Sequence, residues 1–220
     1  AVARANNSTN QIDAEADGFL KQLLQKMTLE EKVGQMVMAE IQHVTPADLT
    51  QYNLGAVLNG GGSFPNSNKH ASVDDWVHLA QSLYEASVAM PDKRAAIPVI
   101  WGTDAVHGHS NVFGATYFPH NIGLGASDNP ALVKAVSTTT AIEVAATGIN
   151  WIFAPTVAVA RDDRWGRTYE SYSEDPRIVK SLAKSAVEGL QHGLTQGAIP
   201  TIATAKHFIG DGGTANGCLL

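Results

Sequence analysis

Short apolar runs alternate with helical segments along the chain, and this alternation constrains the fold more than any other feature of the sequence. Four runs rich in Val, Ile, Trp and Ala are typical of strands buried on both faces, and they lie at 54–59, 97–103, 150–155 and 199–207. The loops after these runs are longer and more polar than the loops before them. The pattern predicts a parallel α/β architecture in which helices connect the strands.

Local signals mark the expected helices between the strands, since capping residues, Pro at a first turn and Gly after a last turn are typical of helix boundaries. The predicted boundaries are Thr28 with Glu31 opening a helix toward Met38, Ser72 with Asp75 opening one toward Ala89, Asp128 or Asn129 before Pro130 with Gly148 at the end, and Asp175 before Pro176 with Gly193 at the end.

The loop asymmetry favours a (β/α) TIM-like barrel, whose polar residues gather at the carboxyl ends of the strands. A complete barrel has eight strands in about 250 residues, whereas four strand candidates are found in these 220 residues. We therefore predict an α/β fold holding about the first half of a barrel, roughly four βα units. The expected organisation is a tail and first helix at 1–26, a partial barrel at 27–217 and an atypical C-terminal end at 218–220.

Composition excludes several classes of function. The formal net charge is −6 and the 15 Lys and Arg residues are scattered, so we expect no nucleic-acid partner and no anionic membrane surface. No stretch approaches the roughly 18 apolar residues of a membrane span. The single cysteine, Cys218, provides neither a disulfide framework nor a repeated motif for zinc. The expected partner is a small or uncharged molecule, and no cofactor is expected.

Polar residues follow three of the predicted strands at the edge where parallel strands end together. Asp104 comes directly after an apolar run, Arg167 lies in the loop after the next run, and Lys206 and His207 follow the last one. We expect these four side chains to form a polar cup. Three other interpretations stay open: Asp104 as a turn residue, the charges of 161–167 as a self-neutralising surface loop with some arginines in local pairs, and Lys206 with His207 as a structural ion pair.

Three further residues could contribute to the same cup. Trp165 could contact a ligand, although a packing role is equally consistent with its position in a Gly-flanked loop. Asp211 follows Lys206 and His207 in the same loop, and His109 lies in the loop that Asp104 begins.

A metal-dependent hydrolase is an alternative function. His107 and His109 form a His-x-His pair after a strand, and together with Lys206 and His207 they could build a two-metal site. A hydrogen-bonded structural role for the histidine pair is the competing interpretation, and no metal site is predicted. The glycines at 60–62 lack the spacing of phosphate-binding or dinucleotide motifs and are expected to form a tight loop.

Three long stretches of the chain match a known pattern: IPVIWGTDAVHGHSNVFGATYFPHNIGLGA at 97–126, GINWIFAPTVAVARDDRWGRTYESYSEDP at 148–176 and ATAKHFIGDGGTANG at 203–217. They resemble glycoside hydrolase family 3, in its β-glucosidase and exo-β-glucanase branch. The likeness extends from about Met27 to Gly217. It implies a TIM-like barrel that carries the pocket for a non-reducing terminal glucose and is followed by a separate α/β sandwich domain.

The resemblance also implies roles for the cup residues in a retaining β-glucosidase acting on β-glucosides or β-glucan oligosaccharides. Asp104 is expected to bind paired hydroxyls of the glucose, and Lys206 and His207 neighbouring hydroxyls. Arg167 is expected to bind the same ring or to orient Asp104. The loop at 210–213 lacks the histidine that related β-N-acetylglucosaminidases carry there, which favours a glucosidase.

The resemblance places the family's nucleophilic Asp and acid/base Glu beyond Leu220, so no catalytic residue is expected within the chain. A retaining glycosidase needs both carboxylates, about 5 to 5.5 Å apart. A non-catalytic sugar-binding or assembly module is therefore a second alternative. A half barrel is expected either to self-associate through its exposed sheet edges or to be poorly soluble. The polar start of the sequence could be a mature N-terminus left by export or simply a loose tail, and a periplasmic or extracellular location is expected.

Overall fold

The computed structural model describes residues 16–89, 95–192 and 201–218. In these ranges short strands alternate with helices. The strands are β1 (Met38–Glu40), β2 (Ala56–Asn59), β3 (Ile100–Thr103), β4 (Trp151–Ile152) and β5 (Ile202–Ala203). The helices are α1 (16–26), α2 (Leu29–Gln35), α3 (Pro46–Tyr52), α4 (Val73–Val88), α5 (Asn121–Ala126), α6 (Pro130–Ala146) and α7 (Pro176–Leu190), with single 3₁₀ turns at Pro65–Ser67 and Thr168–Glu170.

The strands form one parallel sheet of five in the order β1-β2-β3-β4-β5. Each new strand is added beside the previous one, and the order never reverses. This sequential order distinguishes barrel topology from a doubly wound sheet, in which the strand order reverses at a switch point. The predicted α/β fold with a partial (β/α) barrel is confirmed.

One strand, β1, was not anticipated by the sequence pattern. The predicted helix from Thr28 toward Met38 is too long, because α2 ends at Gln35 and Met36 is its C-cap. Residues 36–40 read Met-Val-Met-Ala-Glu, whose apolar start suits a helix as well as a strand, and the three residues of β1 form too short a pattern to separate the two. Pairing with the neighbouring strand makes this segment a strand, since Ala39 lies opposite Val57 of β2.

The predicted helix starts are confirmed. Both capping boxes are present, with reciprocal side-chain and backbone hydrogen bonds beginning at Thr28 and at Ser72. Asn129, rather than Asp128, caps α6 through its side chain. Asp175 caps α7 in the same manner.

Helix ends are less regular than helix starts. Gly148 follows α6 with φ of 81°, a left-handed conformation that suits the end of a helix. The α7 helix ends at Leu190, and Gly193 lies outside the described residues. Residues 199 and 200 of the fourth predicted strand lie outside them as well.

The glycine loop after β2 forms the tight turn that was predicted, because Ser63 N–H donates to the carbonyl of Gly60 at 3.0 Å.

Two apolar clusters support the sheet. The larger one fills the space between the strands and the helices that cross them, and its fully buried side chains include Leu49, Val57, Trp76, Leu83 and Ile152. The second joins α5, α6 and α7 through Leu124, Val133 and Leu182. Burying a side chain of this size contributes about 1.5 to 3 kcal/mol. This packing holds the strands in register, so that their carboxyl ends present polar residues together.

Across the described ranges, no helix is long and apolar enough for a membrane crossing.

Candidate functional site

A cavity of about 670 Å³ opens at the carboxyl ends of the strands. Charged groups, imidazoles and aromatic rings share its wall, which gives it both hydrogen-bonding and apolar surfaces. The lining residues that matter for its chemistry are Asp104, His107, His120, Trp151, Phe153, Arg167, Glu170, Thr204, Lys206 and His207.

Asp104 and Lys206 form an ion pair at the mouth of this cavity. Lys206 Nζ donates to Asp104 Oδ1 at 2.8 Å, and the lysine side chain is 14% exposed whereas the aspartate side chain is 56% exposed. The Asn111 amide fixes the start of the Asp104 loop by donating to Thr103 Oγ1 at 3.2 Å and to the carbonyl of Asp104 at 3.3 Å. Asp104 therefore holds the lysine and still presents a carboxylate to solvent.

The backbone holds Lys206 as a continuation of the sheet. Lys206 N–H donates to the carbonyl of Pro155 at 3.0 Å, and Val157 N–H donates to the carbonyl of Lys206 at 2.8 Å. Thr204, two residues earlier, accepts a hydrogen bond from Trp151 Nε1 at 2.6 Å. The Lys206–His207 peptide bond is cis. Two strand ends thus fix where the ammonium group enters the cavity.

Arg167 makes a bidentate ion pair with Glu170. Its Nε donates to Oε1 at 2.5 Å and its Nη2 donates to Oε2 at 2.7 Å. The glutamate side chain is 9% exposed, and Thr156 Oγ1 lies 3.4 Å from Oε2. Burial raises the pKa of the Glu170 carboxyl, but the hydrogen bonds and charge of Arg167 outweigh burial and hold that pKa below its ordinary value. The same bonds raise the pKa of Arg167.

His207 connects Arg167 to Asp211. Its Nδ1 lies 2.6 Å from Asp211 Oδ2, and its Nε2 lies 3.2 Å from Arg167 Nη2. Asp211 is well buried, with 11% of its side chain exposed. A carboxylate only accepts and a guanidinium only donates, so these contacts assign the proton of the imidazole to Nδ1. Both ring nitrogens of His207 therefore have partners.

A pair of histidines forms another part of the cavity wall. The rings of His107 and His120 lie 4.2 Å apart between centroids, and Tyr117 and Tyr169 contact them edge-on. His120 Nδ1 accepts from the backbone N–H of Asn121, the first residue of α5. Burial, followed by the neighbouring His107, lowers the pKa of His120. The lowered pKa favours the neutral form of His120.

The structure brings the four predicted residues Asp104, Arg167, Lys206 and His207 together around one cavity. It changes one expected contact, because Lys206 orients Asp104 and Arg167 instead pairs with Glu170. The expectation that arginines of the 161–167 loop are used in local pairs is confirmed at Arg167 and also at Arg164, which pairs with Asp162.

Two other candidates do not reach the cavity. His109 is completely buried, packs near Trp76 and places Nε2 3.0 Å from Thr147 Oγ1. Burial lowers the pKa of His109 to about 4, and Glu143 opposes that shift only in part. Trp165 is 5% exposed and packs with Ala158 and Ala160. Both are structural side chains here, while Asp211 contributes through His207.

The hypothetical metal site is not assembled. His109 is separated from the cavity by burial in the core, and His107 Nδ1 is bonded to the carbonyl of Phe118 at 2.8 Å. Among the described residues, no three His, Cys, Asp or Glu side chains are grouped as metal ligands would be. The metal-dependent alternative built on His107, His109, Lys206 and His207 therefore lacks its ligand set.

Sequence reasoning did not assign Glu170, His120, Trp151 and Phe153 to the cavity. Glu170 lies three residues after Arg167, which is a sufficient signal for a local ion pair but not for its burial. His120 lies far from any predicted strand end and is brought to the cavity by the chain before α5. The two aromatic residues belong to the strand region itself, where a side chain that faces the cavity has the same sequence pattern as one that faces the core.

A parallel sheet in sequential order with a polar pocket at its carboxyl ends defines the class of this chain, which is a (β/α) barrel-type domain. Residues 28–218 match the model of the glycosyl hydrolase family 3 N terminal domain, and the chain belongs to this family.

Relatives and solved structures agree with this assignment. The chain is 32% identical over 214 residues to the lysosomal beta glucosidase of Dictyostelium discoideum, covering 88% of this chain and 26% of that protein. It is 28% identical to the periplasmic beta-glucosidase of Salmonella typhimurium, covering 91% and 24%. An exo-1,3/1,4-beta-glucanase structure from a Pseudoalteromonas species superposes with a TM-score of 0.84 at 52% identity, covering 91% and 25%. The chain thus spans about a quarter of the length of these proteins.

Proposed function

We propose that this chain provides the glucose-binding part of a retaining glycoside hydrolase that removes terminal β-D-glucose from β-glucosides or β-glucans. The observation that carries the proposal is the convergence of the Asp104–Lys206 pair and the Arg167–Glu170 pair on one open cavity. The named activities of the relatives, a β-glucosidase in two cases and an exo-glucanase in the third, agree with it.

The chemistry of the cavity suits an uncharged polyhydroxyl ligand. Each sugar hydroxyl can donate one hydrogen bond and accept others, so a carboxylate beside an ammonium and a guanidinium can bind neighbouring hydroxyls from both sides. In this proposal Asp104 accepts from paired hydroxyls, and Lys206 and Arg167 donate to hydroxyls beside them. The positive and negative groups are already paired, which leaves little net charge to attract an ion instead of a sugar.

Neither carboxylate of the cavity is suited to the bond-breaking chemistry. Asp104 is held by Lys206, and its release would leave a mostly buried ammonium without a partner. Glu170 is held by Arg167 with a lowered pKa, whereas a general acid needs a raised one. We therefore propose that these residues bind the sugar, and that the nucleophile and the acid/base belong to the part of such enzymes that this chain does not span.

Calorimetry with glucose on the 220-residue chain tests the binding part of the proposal. Wild-type chain should bind glucose, Asp104→Ala should lose most of the affinity, and Asp163→Ala should keep it, because Asp163 is an exposed acid outside the cavity. Failure of the wild type to bind any of glucose, xylose or N-acetylglucosamine would contradict a sugar site.

Hydrolysis of an aryl β-glucoside by the same preparations tests the catalytic part. We expect the isolated wild-type chain to show no turnover above the background measured with Asp104→Ala. Turnover that disappears in the variant would overturn the assignment of the nucleophile and acid/base to another part of the enzyme. Aryl β-xyloside and aryl N-acetyl-β-glucosaminide provide the substrate controls.

A second candidate function is a sugar-binding or assembly module without chemistry. The pairing of both cavity carboxylates favours it, because neither is free to act as a nucleophile. Glucose binding without turnover, both in the chain and in a longer protein that carries this domain, would support this candidate over a hydrolase.

The proposed location is the periplasm or the outside of the cell. Its support is the Salmonella typhimurium relative, which is named a periplasmic enzyme. Fractionation of cells that express the protein would test it.

A further inference from the structure

We propose that Asn59 and His109 bind one buried water molecule between them, behind the strand ends, and that this water positions the loop that begins at Asp104. The water site is a property of the unliganded chain. Its effect on sugar binding rests on the proposed function, so the water site and the proposed function can fail separately.

The site lies on the outer face of the sheet, opposite the cavity. A Cβ at Gly102 would meet the ring of Phe153, which lines the cavity, so Gly102 faces inward and its neighbour Trp101 faces outward. Trp76 of α4 covers this outer face. Its ring centroid lies 5.9 Å from that of Trp101 and 6.2 Å from that of His109.

Four polar side chains gather in this region. Thr103 follows Trp101 by two residues and lies opposite Asn59 of β2. Trp101 Nε1 donates to Asn59 Oδ1 at 3.0 Å, and Asn111 Nδ2 donates to Thr103 Oγ1 at 3.2 Å. His109 lies two residues before Asn111 in the same loop. The four residues Asn59, Thr103, His109 and Asn111 are at most 9% exposed, so bulk solvent does not satisfy their polar atoms.

The contacts of Thr147 determine which nitrogen of His109 carries the proton. Thr147 Oγ1 lies 2.7 Å from the carbonyl oxygen of Val144 and 3.0 Å from His109 Nε2. The hydroxyl has one proton, and it lies toward the carbonyl because a carbonyl oxygen only accepts. Nε2–H therefore donates to Thr147. Burial lowers the pKa of His109 to about 4, so the ring is neutral at neutral pH and Nδ1 is an unprotonated nitrogen that needs a donor.

Asn59 has the complementary requirement. The indole N–H of Trp101 only donates, which fixes Oδ1 of Asn59 toward it and leaves the Nδ2 amide as a donor that needs an acceptor. Among the described residues, neither Asn59 Nδ2 nor His109 Nδ1 has a hydrogen-bond partner, and both atoms are buried.

A water molecule supplies both missing partners, because it accepts from Asn59 Nδ2 and donates to His109 Nδ1. Buried waters make about three hydrogen bonds to polar groups that would otherwise be unsatisfied. The hydroxyl proton of Thr103 is the third partner, since Thr103 Oγ1 serves as the acceptor in its bond from Asn111.

The position of the water connects it to Asp104. Asn111 Nδ2 donates to the carbonyl of Asp104 at 3.3 Å as well as to Thr103 Oγ1. Thr103 precedes Asp104 in the chain, and His109 follows it by five residues. Holding Thr103 and His109 through one water therefore fixes the loop on both sides of Asp104.

A high-resolution crystal structure of the unliganded chain is the first test. We expect one ordered water at about 2.7 to 3.2 Å from both Asn59 Nδ2 and His109 Nδ1. A direct contact between the two side chains, or a dry space between them, would overturn the proposal whether or not the chain binds glucose.

Nitrogen-15 NMR of the imidazoles tests the proton assignment in solution. The spectrum of His109→Gln identifies the resonances of His109 among the 8 histidines. At neutral pH we expect Nε2 to show the shift of a protonated nitrogen and Nδ1 the shift of an unprotonated one. A protonated Nδ1 would contradict the water site, because that nitrogen would then not accept a hydrogen bond from water.

A double-mutant cycle with Asn59→Ala and His109→Ala tests whether the two side chains share the water. Urea unfolding of the double variant should show a smaller loss of stability than the two single losses added together, because either substitution already removes one partner of the water. Additive losses would contradict a shared water. Should either variant fail to fold, the crystal structure and the NMR spectrum of the wild type still decide.

Calorimetry with glucose tests the positioning role. Asn59→Ala should lower glucose affinity about tenfold, since the loop of Asp104 loses one of its attachments. Gly61→Ala is the matched control in the loop after the same strand, and it should bind as the wild type does. Equal affinity in Asn59→Ala and the wild type, with Asp104→Ala impaired, would show that the water does not position Asp104. Failure of the wild type to bind glucose would instead count against the proposed function.

Discussion

Lys206 Nζ lies 2.8 Å from Asp104 Oδ1, although 102 positions separate the two residues in the chain. Asp104 is the first residue after β3, and Lys206 follows β5 by a few residues. The two strands are separated by β4 in the sheet, so this ion pair crosses a neighbouring strand end. The ion pair joins the loop after β3 to the segment after β5. The orientation of the exposed Asp104 carboxylate therefore depends on Lys206.

Asp104→Ala should lower kcat/KM in an active enzyme that carries this domain by ~10²-fold or more, the effect expected when hydrogen bonds to the transition state are lost. It should also weaken the binding of glucose to the chain. The measurement is calorimetry for the chain and steady-state kinetics for the enzyme. Asp104→Asn should lose less, because its amide oxygen still accepts a hydrogen bond. An unchanged affinity in Asp104→Ala would remove this residue from the site.

Glu170→Gln should destabilise the chain by about 2 kcal/mol at neutral pH, because the half-buried Arg167 partner loses its charge-assisted bonds. The folded-state pKa of Glu170 is lowered. Its stabilising contribution is therefore complete above the ordinary pKa of 4.5 and is lost as the pH falls through the lower folded value. Urea unfolding from pH 7 to pH 3 should show a weaker acid dependence in the variant, and parallel curves would contradict this assignment.

Gly102→Ala should disturb the cavity from within the sheet. A Cβ at this position would lie 2.2 Å from Cζ of Phe153 and 3.0 Å from Cε3 of Trp151, so the phenyl ring, which lines the cavity, must shift. We expect a loss of about 1 to 3 kcal/mol in unfolding free energy, together with weaker glucose binding. Gly61→Ala is the control, because nothing lies within 4 Å of its Cβ position.

His109→Gln should weaken the dependence of the unfolding free energy on pH between 6.5 and 4. Burial lowers the pKa of His109 to about 4 from an ordinary 6.5, so the unfolded chain takes up a proton in this interval that the folded chain does not. Stability of the wild type should therefore fall as the pH decreases from 6.5 to 4, by an amount of order 3 kcal/mol. Chemical unfolding at several pH values measures it. His70→Gln, which replaces an exposed histidine, is the matched control.

The isolated 220-residue chain should self-associate. In the described part of the sheet, β1 pairs only with β2, and β5 pairs only with β4. Apolar side chains lie exposed near both edges, with Met36 86% exposed beside β1 and Phe208 97% exposed beyond β5. Size-exclusion chromatography with light scattering should give a mass above that of one chain, and Met36→Lys should reduce it. A monomer at every concentration would contradict the prediction.

Much of the site could be predicted because strand ends have a recognisable pattern. Asp104, Lys206 and His207 each follow an apolar run directly, and parallel strands end at one edge, so their proximity follows from topology. The identity of their partners could not be predicted in this way. Arg167 had several acids nearby in sequence, and only the packed structure selects Glu170 for it and Asp211 for His207.

The sequence by itself determined the class of fold and the helix starts and indicated the four residues of the polar cup, since periodicity, capping chemistry and the succession of strands and helices along the chain are evident in local segments. Tertiary structure decided what local patterns leave open. It ended α2 at Gln35 and placed Met38–Glu40 in β1 by pairing with β2, and it buried His109 and Trp165. It also gave His207 two partners, because hydrogen-bond geometry depends on distances between residues that only the packed fold sets.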